Sequence, residues 1–454
     1  MPDSIEHVLT PEDQLVFVHI PKTAGLTVRA ILSNRFDYGA CYPRSNEWWW
    51  VGKESPGTLD HYRLFNGHFP YCVGELLSRP LFFTMLREPV DRLASQFNYV
   101  RRSPSTPIHE FISESGLTLE EFLTNPVTAN GLRDWQSGFI GSVGFGELCR
   151  IHKALTEIET ERRDPGGTHY PNLGIAVAKE RLGSFAMFGL SERFDESLML
   201  LDYTFGWKPT RNYQSFNRRA DRERREELSA KAIDAALALS CDDVELYAFA
   251  ARLFDERFTA MCHDLLERYG GARHAVRSGP LDGESLVELL EAHYKKRAIE
   301  RDDGPRTTWV WPPGAAAVGN GWHAAEEFGD GRCARWSGPG TVSTLDALLR
   351  CGTDYRVEFD ILCVLEPSLL DTVSLAVDGE SIALERISSS SAEGHRFRGV
   401  VSASVVGETD RIVTLAWKVG RTMKPSEVDP SNFDPRWLGL CFGGVSLTSV
   451  GSEG

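Results

Sequence analysis

The sequence predicts an α/β region, with a parallel sheet flanked by helices, followed by a β-sandwich. In the first half, short apolar runs lead into segments with helical spacing, an alternation typical of parallel sheets. In the second half, apolar and polar residues alternate over short segments separated by turns, as in sandwiches. Because the 454 residues exceed the ~250–300 that one hydrophobic core serves, we expect two domains.

Three units of strand, loop and helix are predicted in the first half. Leu15 to Ile20 form an apolar run that ends at Pro21, before the helical pattern of GLTVRAILSNRF. Leu81 to Leu86 form a second buried strand, and Pro89 suits the first turn of the helix that follows. The third unit is SFAMFGLSERFDESLMLLDYTFGW, whose apolar run ends at Leu190.

The second half has a different character. Helical patterns continue from Arg222 to Tyr269, and a turn-rich stretch from Ile299 to Gly321 precedes the alternating segments. One of those segments, TVSLAVDGESIALERI, contains the hairpin signal Asp378-Gly379. We therefore assign residues 14–270 to the α/β domain, 271–304 to a helical linker and 305–454 to a β-sandwich accessory domain.

Composition and charge disfavour several classes of protein. The formal charge of −15 disfavours nucleic-acid binding, because polyanions repel an acidic surface unless basic residues cluster. The sequence has no run of about 18 uncharged apolar residues and no signal pattern, so we expect a soluble, cytoplasmic protein without a membrane span. The nine cysteines are scattered without the spacing of a metal site, which favours reduced thiols and no bound metal.

The stretch HIPKTAGLT joins the first predicted strand to the first predicted helix. A helix amino terminus presents unpaired N–H groups and the positive end of the helix dipole, which together bind phosphate. Gly25 permits close approach of the backbone, Thr23 and Thr27 offer hydroxyl groups, and Lys22 adds a positive charge. The pattern G-x-x-x-x-G-K-[ST] is not matched, which disfavours a Walker-type ATPase. The alternative is that the loop only turns a strand into a helix.

A second set of polar residues follows the second predicted strand. Arg87 lies at the carboxyl end of that strand, and Ser95 lies about two turns into the next helix. Ligands of open α/β sheets bind at such strand ends. The alternative is that Arg87 pairs with Glu88 or Asp91 on the surface, while Ser95 only packs against a neighbouring helix.

The segments HIPKTAGLT, TMLREPVDRLASQFNY and FGLSERFDESL resemble the signatures of the PAPS-dependent carbohydrate sulfotransferases, a group that includes the heparan sulfate 2-O-sulfotransferases. This resemblance covers roughly Gln14 to Tyr269 and implies the P-loop NTPase-like sulfotransferase fold. It implies that Arg87 and Ser95 bind the 3′-phosphate of PAPS. It also implies that RNYQSFNRR is a loop that closes over the nucleotide, with Ser215 and Arg218 touching the 3′-phosphate; a solvated basic loop is the alternative. The residues that it implies for the 5′-phosphosulfate are Lys22, Thr23, Ala24, Gly25, Leu26 and Thr27.

The same resemblance gives His68, in RLFNGHFPY, the role of catalytic base, because the family has a Gly-His pair between its two phosphate motifs. A histidine suits this role because its unperturbed pKa near ~6.5 leaves it largely neutral at pH 7. Lys22 is expected to stabilise charge on the leaving phosphate. Asn66 stands where the 2-O-sulfotransferases often have a second histidine, which suggests an orienting amide. His19 is expected to be a hydrogen-bonded structural histidine.

Tryptophans mark two further regions. Trp48 to Trp50 cannot all point inward on one element, so we expect at least one to meet solvent or substrate; the alternative is a hydrophobic wall between domains. The segments around Trp322, Trp336 and Trp437 resemble a β-sandwich module of bacterial surface-glycan enzymes, which implies a saccharide-binding, substrate-shaping or dimerising role. These three tryptophans are expected to serve as core residues in preference to a ligand platform.

These observations predict a bacterial sulfotransferase that transfers the sulfuryl group from PAPS to a hydroxyl of a carbohydrate or glycosylated metabolite. The predicted partner is a glycan or glycosylated small molecule. The sequence leaves open whether the protein forms a homodimer. A kinase-like phosphoryl transferase and a non-catalytic glycan-binding protein are the alternatives. Lys22, His68, Arg87 and Ser95 argue against the last, because a relic has no reason to keep all of them.

Overall fold

The computed structural model describes residues 5–45, 48–104, 106, 108–162, 171–215, 227–271, 283–301, 304–329, 331–387 and 394–451. The chain divides into a first compact unit (residues 1–26, 42–205 and 216–264) and a second (residues 27–41, 206–215 and 265–454). The α-helices of the described residues are α1 Gly25–Ser33, α2 Pro56–Leu59, α3 Pro89–Val100, α4 His109–Ser115, α5 Leu119–Thr124, α6 Pro126–Ala129, α7 Trp135–Ile140, α8 Phe145–Arg162, α9 Ile175–Ser184, α10 Phe194–Phe205, α11 Ala230–Ala238, α12 Cys241–Tyr269, α13 Gly283–Arg301 and α14 Ala403–Val406. The strands are β1 Gln14–Val18, β2 Leu64–Gly67, β3 Pro80–Leu86, β4 Met187–Leu190, β5 Thr308–Trp311, β6 Glu326–Glu327, β7 Cys333–Trp336, β8 Val342–Leu349, β9 Tyr355–Val364, β10 Ser374–Val377, β11 Glu380–Ile382, β12 Glu385–Ile387, β13 His395–Val401, β14 Arg411–Lys418 and β15 Leu440–Ser449.

The first unit contains a parallel sheet with strand order β2-β1-β3-β4. Leu15 of β1 lies opposite Leu64 on one side and Leu81 on the other. Every residue of β1 is buried, as expected for a central parallel strand covered on both faces. The predicted strands of the three strand-helix units are therefore confirmed. Strand β2 was not predicted, because only its first two residues, Leu64 and Phe65, are apolar and they form no run.

All four strands of this sheet point the same way, so their carboxyl ends lie at one edge. The chain leaves that edge at His19 after β1, at His68 after β2, at Arg87 after β3 and at Ser191 after β4. Because β1 lies between β2 and β3, His68 and Arg87 leave the sheet on either side of the first loop.

Helix α3 begins as the sequence predicts. Pro89 occupies its first turn, and the Glu88 carboxylate caps it by accepting the Asp91 N–H at 2.9 Å. Its buried face, which includes Leu93 and Phe97, packs against residues of α5 and α11. This packing fixes the helix that carries Ser95.

The second unit is built from two antiparallel sheets, with strand orders β11-β10-β14-β8 and β12-β13-β9-β15-β7-β6; strand β5 also pairs with β15. Alternate residues of β9 are buried, as the predicted alternation requires. Phe359 of β9 and Trp417 of β14 meet with ring centroids 5.8 Å apart in a core that both sheets share. The Asp378-Gly379 turn joins β10 to β11 with both residues at positive φ, so the predicted hairpin is confirmed.

A buried ionic cluster joins helix α13 to the sheet in the second unit. The Lys208 ammonium donates to both Asp346 carboxylate oxygens at 2.8 and 2.7 Å, and it lies 3.5 Å from the Glu291 carboxylate. The Tyr294 hydroxyl also donates to Asp346, at 2.9 Å, and so does the Thr414 hydroxyl, at 2.7 Å. Each carboxylate oxygen of Asp346 therefore accepts one hydrogen bond from Lys208 and one from a hydroxyl group. These four hydrogen bonds offset the cost of burying the carboxylate.

The described residues contain no helix with both the length and the apolar content needed to cross a membrane. The mixed architecture of parallel and antiparallel sheets agrees with the predicted fold class. The P-loop NTPase-like assignment and the domain limits 14–270, 271–304 and 305–454 stay predictions.

Candidate functional site

The loop after β1 is a tight turn with two unusual backbone conformations. Lys22 has φ 72° and Ala24 has φ 65°, in the left-handed region that non-glycine residues rarely adopt. Each such residue costs about 1–2 kcal/mol, and such strain clusters at functional sites. The Thr23 hydroxyl, which is fully buried, donates to the Ile20 carbonyl at 2.8 Å and closes the turn. A contact between Thr23 and a phosphate would therefore use its backbone N–H.

Gly25 begins helix α1 directly beneath the His19 ring. A Cβ atom at position 25 would lie 1.8 Å from His19 Nε2, a distance that no real side chain tolerates. The His19 ring is 3% exposed and stacks on Phe17, with ring centroids 5.3 Å apart. The glycine is needed here for space, and His19 fills the gap that it leaves.

His68 is held by the backbone and ring of His19. Its Nδ1 lies 2.8 Å from the His19 carbonyl oxygen, and its ring stacks on the His19 ring with centroids 4.2 Å apart. A carbonyl oxygen only accepts hydrogen bonds, so Nδ1 must carry the hydrogen and donate it. In the neutral ring Nε2 then holds the lone pair. The His68 backbone N–H donates to the Ser45 carbonyl at 2.8 Å, which fixes the position of the ring relative to the sheet.

Arg87 joins the loop after β3 to the loop after β1. Its Nη1 donates to the Lys22 carbonyl at 3.0 Å, and its Nε lies 4.0 Å from the Glu192 carboxylate. The surface pairing of Arg87 with Glu88 or Asp91 is not what the structure has, because the Glu88 carboxylate caps α3. Only 8% of Arg87 is exposed, so most of its side chain is fixed by its surroundings.

Lys22 and Ser95 are related through Tyr99. The Lys22 ammonium lies 3.9 Å from the centroid of the Tyr99 ring, a cation–π contact with helix α3. Ser95 precedes Tyr99 by four residues and therefore lies on the same face of that helix. The structure thus brings the first loop, Arg87 and the Ser95 face of α3 to one side of the sheet.

Two further residues near the site, Tyr99 and Glu192, were not among the predicted site residues. Glu192 follows β4 at the same sheet edge, accepts the Glu88 N–H at 3.0 Å and accepts the Tyr247 hydroxyl at 2.8 Å. Burial raises its pKa. The position of Glu192 just after a parallel strand could have indicated a site residue. The contact of Tyr99 with Lys22, in contrast, depends on how the loop after β1 folds.

The other predicted donor-binding residues are distributed between the two units. Ala24 is partly exposed and Leu26 is exposed, both in the first unit. Thr27, in the first turn of α1, is buried, and Ser215 is exposed; both belong to the second unit. Arg218 lies outside the described residues.

The adjacent tryptophans of the first unit face different surroundings. Trp48 is buried at 2% exposure, whereas Trp49 stacks on His152 with centroids 4.7 Å apart and is partly exposed. The Trp50 ring has the Arg44 guanidinium at 4.3 Å and the Lys53 ammonium at 3.7 Å from its centroid. These rings agree with the expectation that the three do not all point inward.

Two of the three tryptophans singled out in the second unit are core residues. Trp322 and Trp336 are buried. Trp437 is 41% exposed, and the Lys424 ammonium lies 5.1 Å from the centroid of its ring.

Known proteins similar to this chain point to one family. Heparan-sulfate 6-O-sulfotransferase 1 of Homo sapiens is 26% identical over 298 residues, which cover 56% of this chain and 69% of the human protein. Heparan-sulfate 6-O-sulfotransferase 1-B of Danio rerio is 25% identical over 296 residues, with 56% and 69% covered. No protein-family model matches the chain.

Solved structures add no argument. A family 35 carbohydrate binding module from Clostridium thermocellum covers 32% of this chain and 98% of its own, at 8% identity and a TM-score of 0.21. The 4-O-methyl-α-glucuronidase BtGH115A covers 79% of this chain and 42% of its own, at 14% identity and a TM-score of 0.19. Scores this low support neither a fold nor a function.

The motifs resembled a group that includes 2-O-sulfotransferases, whereas the similar proteins are named 6-O-sulfotransferases. Both names describe carbohydrate sulfotransferases, so the difference concerns a detail within the predicted family. The resemblance that the motifs predict is confirmed at the level of the family: the chain is similar to carbohydrate sulfotransferases, here the heparan-sulfate 6-O-sulfotransferases.

Proposed function

We propose that this protein is a sulfotransferase that transfers the sulfuryl group of PAPS to a hydroxyl of a carbohydrate or glycosylated metabolite. The observation that carries the proposal is the hydrogen bond between His68 Nδ1 and the His19 carbonyl, next to two cationic side chains at the same sheet edge. The names of the similar proteins support the reaction type and the carbohydrate acceptor.

His68 acts as the general base in this proposal. Because Nδ1 donates to the His19 carbonyl, Nε2 holds the lone pair that takes the proton of the acceptor hydroxyl. The stacked His19 ring limits rotation of the imidazole, so the lone pair keeps one direction. As the proton moves to Nε2, the hydroxyl oxygen bonds to sulfur and the bond from sulfur to the phosphate oxygen breaks.

Lys22 and Arg87 bind the phosphate groups of the donor. PAPS supplies the activated sulfuryl group, and its two anionic ends call for two cationic sites. Lys22 and the backbone N–H groups that open helix α1 suit the 5′-phosphosulfate, where negative charge grows during transfer. Arg87, with Ser95 on α3, suits the 3′-phosphate, because a guanidinium binds phosphate with paired hydrogen bonds. The nearly buried Arg87 is oriented by the Lys22 carbonyl, so little freedom is lost on binding.

The test is transfer activity together with nucleotide binding. The protein is incubated with PAPS and a panel of glycans, and sulfate addition is followed by mass spectrometry. We expect His68→Ala to lower transfer by about 10²–10⁴-fold, since that is the usual contribution of a general base. Its affinity for the product PAP should stay near that of the wild type. The matched control is His61→Ala, which removes an exposed histidine of the same unit.

Three outcomes contradict the proposal. Unchanged transfer in His68→Ala removes the base. Thermal stabilisation by ATP with Mg²⁺ but not by PAP indicates a phosphoryl transferase. Glycan binding without transfer to any acceptor indicates a non-catalytic binding protein.

A further inference from the structure

One buried side chain holds both backbone groups of Arg87. The Gln136 Oε1 accepts the Arg87 N–H at 2.9 Å, and the Gln136 Nε2 donates to the Arg87 carbonyl at 2.8 Å. Pairing between β3 and β4 ends one residue earlier, at Leu86 and Leu190. The amide of Gln136 therefore continues the hydrogen bonding of the sheet for one residue beyond the end of β3. We infer that Gln136 is a positioning residue that fixes Arg87 for donor binding.

A primary amide is suited to this task because it carries a donor and an acceptor side by side. Gln136 is completely buried, so water cannot replace either bond when the amide is removed. Leaving a buried N–H and a buried carbonyl without partners is unfavourable, so the Arg87 backbone is expected to move when the amide is lost.

Gln136 is itself held by a buried ionic group. The Asp243 carboxylate of α12 accepts the Gln136 N–H at 3.2 Å and the Ser137 N–H at 2.7 Å, which caps the start of α7. Arg92 of α3, completely buried, has its Nε 4.0 Å from the same carboxylate. Asp243 and Arg92 thus fix the start of α7 relative to α12 and α3. The two hydrogen bonds of the Gln136 amide then fix the Arg87 backbone relative to the same helices.

The effect on function follows from what Arg87 contacts. Arg87 Nη1 donates to the Lys22 carbonyl, but the first loop is also held by the hydrogen bond from the Thr23 hydroxyl to the Ile20 carbonyl, which does not involve Arg87. His68 is held by separate contacts, with His19 and Ser45. If Arg87 binds the donor as in the proposed function, on which this inference rests, loss of the amide weakens donor binding and leaves proton transfer largely unchanged.

The experiment compares Gln136→Leu with Ser137→Ala in the full-length protein. Ser137 is equally buried and lies in the same helix; its hydroxyl donates to the Asp134 carbonyl at 3.0 Å and makes no bond to Arg87. We expect Gln136→Leu to raise the Kd for PAP and the KM for PAPS by about 10-fold, with kcat within about 2-fold of the wild type. Ser137→Ala should lower the melting temperature but leave the affinity for PAP unchanged.

The outcomes separate this inference from the proposed function. Wild-type affinity for PAP in Gln136→Leu, or an equal loss of affinity in Ser137→Ala, overturns the positioning role. If Gln136→Leu does not fold, Gln136→Glu keeps the oxygen that accepts the Arg87 N–H and loses the donor; it should weaken PAP binding by about 3-fold. Unchanged affinity in that variant also overturns the role. A wild-type protein that fails to bind PAP contradicts the proposed function itself, and the assignment of Gln136 to a donor site fails with it.

Discussion

At the scale of single residues, the site depends on the absence of a side chain at position 25. We expect Gly25→Ala to force the His19 ring out of the space where a Cβ atom would lie 1.8 Å from its Nε2. Overpacking of this kind costs about 1–3 kcal/mol, and here it also displaces the ring that stacks on His68. Urea unfolding should show the loss of stability, and sulfate transfer should fall at least about 10-fold.

The control is Gly39→Ala, because a Cβ atom at position 39 meets nothing within 4 Å. Its stability should change by no more than about 0.5 kcal/mol. If both variants lose the same stability and activity, the close approach of His19 to Gly25 is not the cause.

The sequence predicted part of this site because of where its residues stand in the chain. Lys22, His68 and Arg87 each follow a strand of one parallel sheet, so the topology brings them to one edge. Gln136 was not predicted, because a side-chain bond to a backbone 49 residues away leaves no periodic trace in the sequence. The contact of Lys22 with Tyr99 was missed for a similar reason, since it depends on the left-handed backbone of the loop.

At the scale of elements, strands covered on both faces were the easiest to predict. The fully buried β1 appears as a continuous apolar run, and β9 alternates because one of its faces is exposed. The short β2 and the way helix α13 is attached to the second unit have no such pattern. That attachment depends on the cluster of Lys208, Asp346 and Tyr294, whose members lie far apart in sequence.

We expect Lys208→Met to destabilise the second unit by about 3–5 kcal/mol, because it leaves the Asp346 carboxylate buried without its cation. Scanning calorimetry should show the loss as a lower transition temperature. Lys295→Met is the control: Lys295 lies on α13, 4.0 Å from Glu291, but its side chain is 46% exposed, so its removal should cost no more than about 1 kcal/mol.

A double variant tests the reason for that loss. Asp346→Asn removes the charge and keeps one oxygen that accepts a hydroxyl hydrogen, while its NH2 group can donate to the other hydroxyl once that hydroxyl has rotated. Lys208→Met with Asp346→Asn should therefore regain much of the stability. A double variant no more stable than Lys208→Met would show that packing of the lysine chain, and not the unpaired charge, is what matters.

At the scale of the whole molecule, two buried groups give the two units opposite responses to pH. Burial, and less strongly the nearby Asp243 carboxylate, raise the pKa of Asp134 to about 6 in the first unit. Its folded pKa exceeds its unfolded value of ~3.9, so its stabilising contribution is full below that value and is lost as pH rises through about 6. In the second unit, burial lowers the pKa of His323 to about 4. Its contribution is full above the unfolded pKa near ~6.5 and is lost as pH falls through about 4.

Acidification from pH 7 to pH 5 is therefore expected to weaken the second unit through His323, by about 2 kcal/mol, since each unit of pKa shift is worth about 1.4 kcal/mol. His323 Nε2 donates to the Trp437 carbonyl at 2.8 Å and is 6% exposed, so the charged ring must form in a buried site beside Arg436. Hydrogen exchange, corrected for intrinsic rates, should show β7 and β15 opening more often at pH 5. In His323→Gln, whose amide keeps a donor but does not titrate, that acid-induced change should shrink by most of the 2 kcal/mol. The start of α12, where the Asp242 and Asp243 N–H groups donate to the Asp134 carboxylate at 3.0 and 3.2 Å, should move the other way, becoming more protected at pH 5. Asp134→Asn should remove that gain. An acid response of β7 and β15 that is the same in His323→Gln and the wild type would assign it to other groups of this acidic chain.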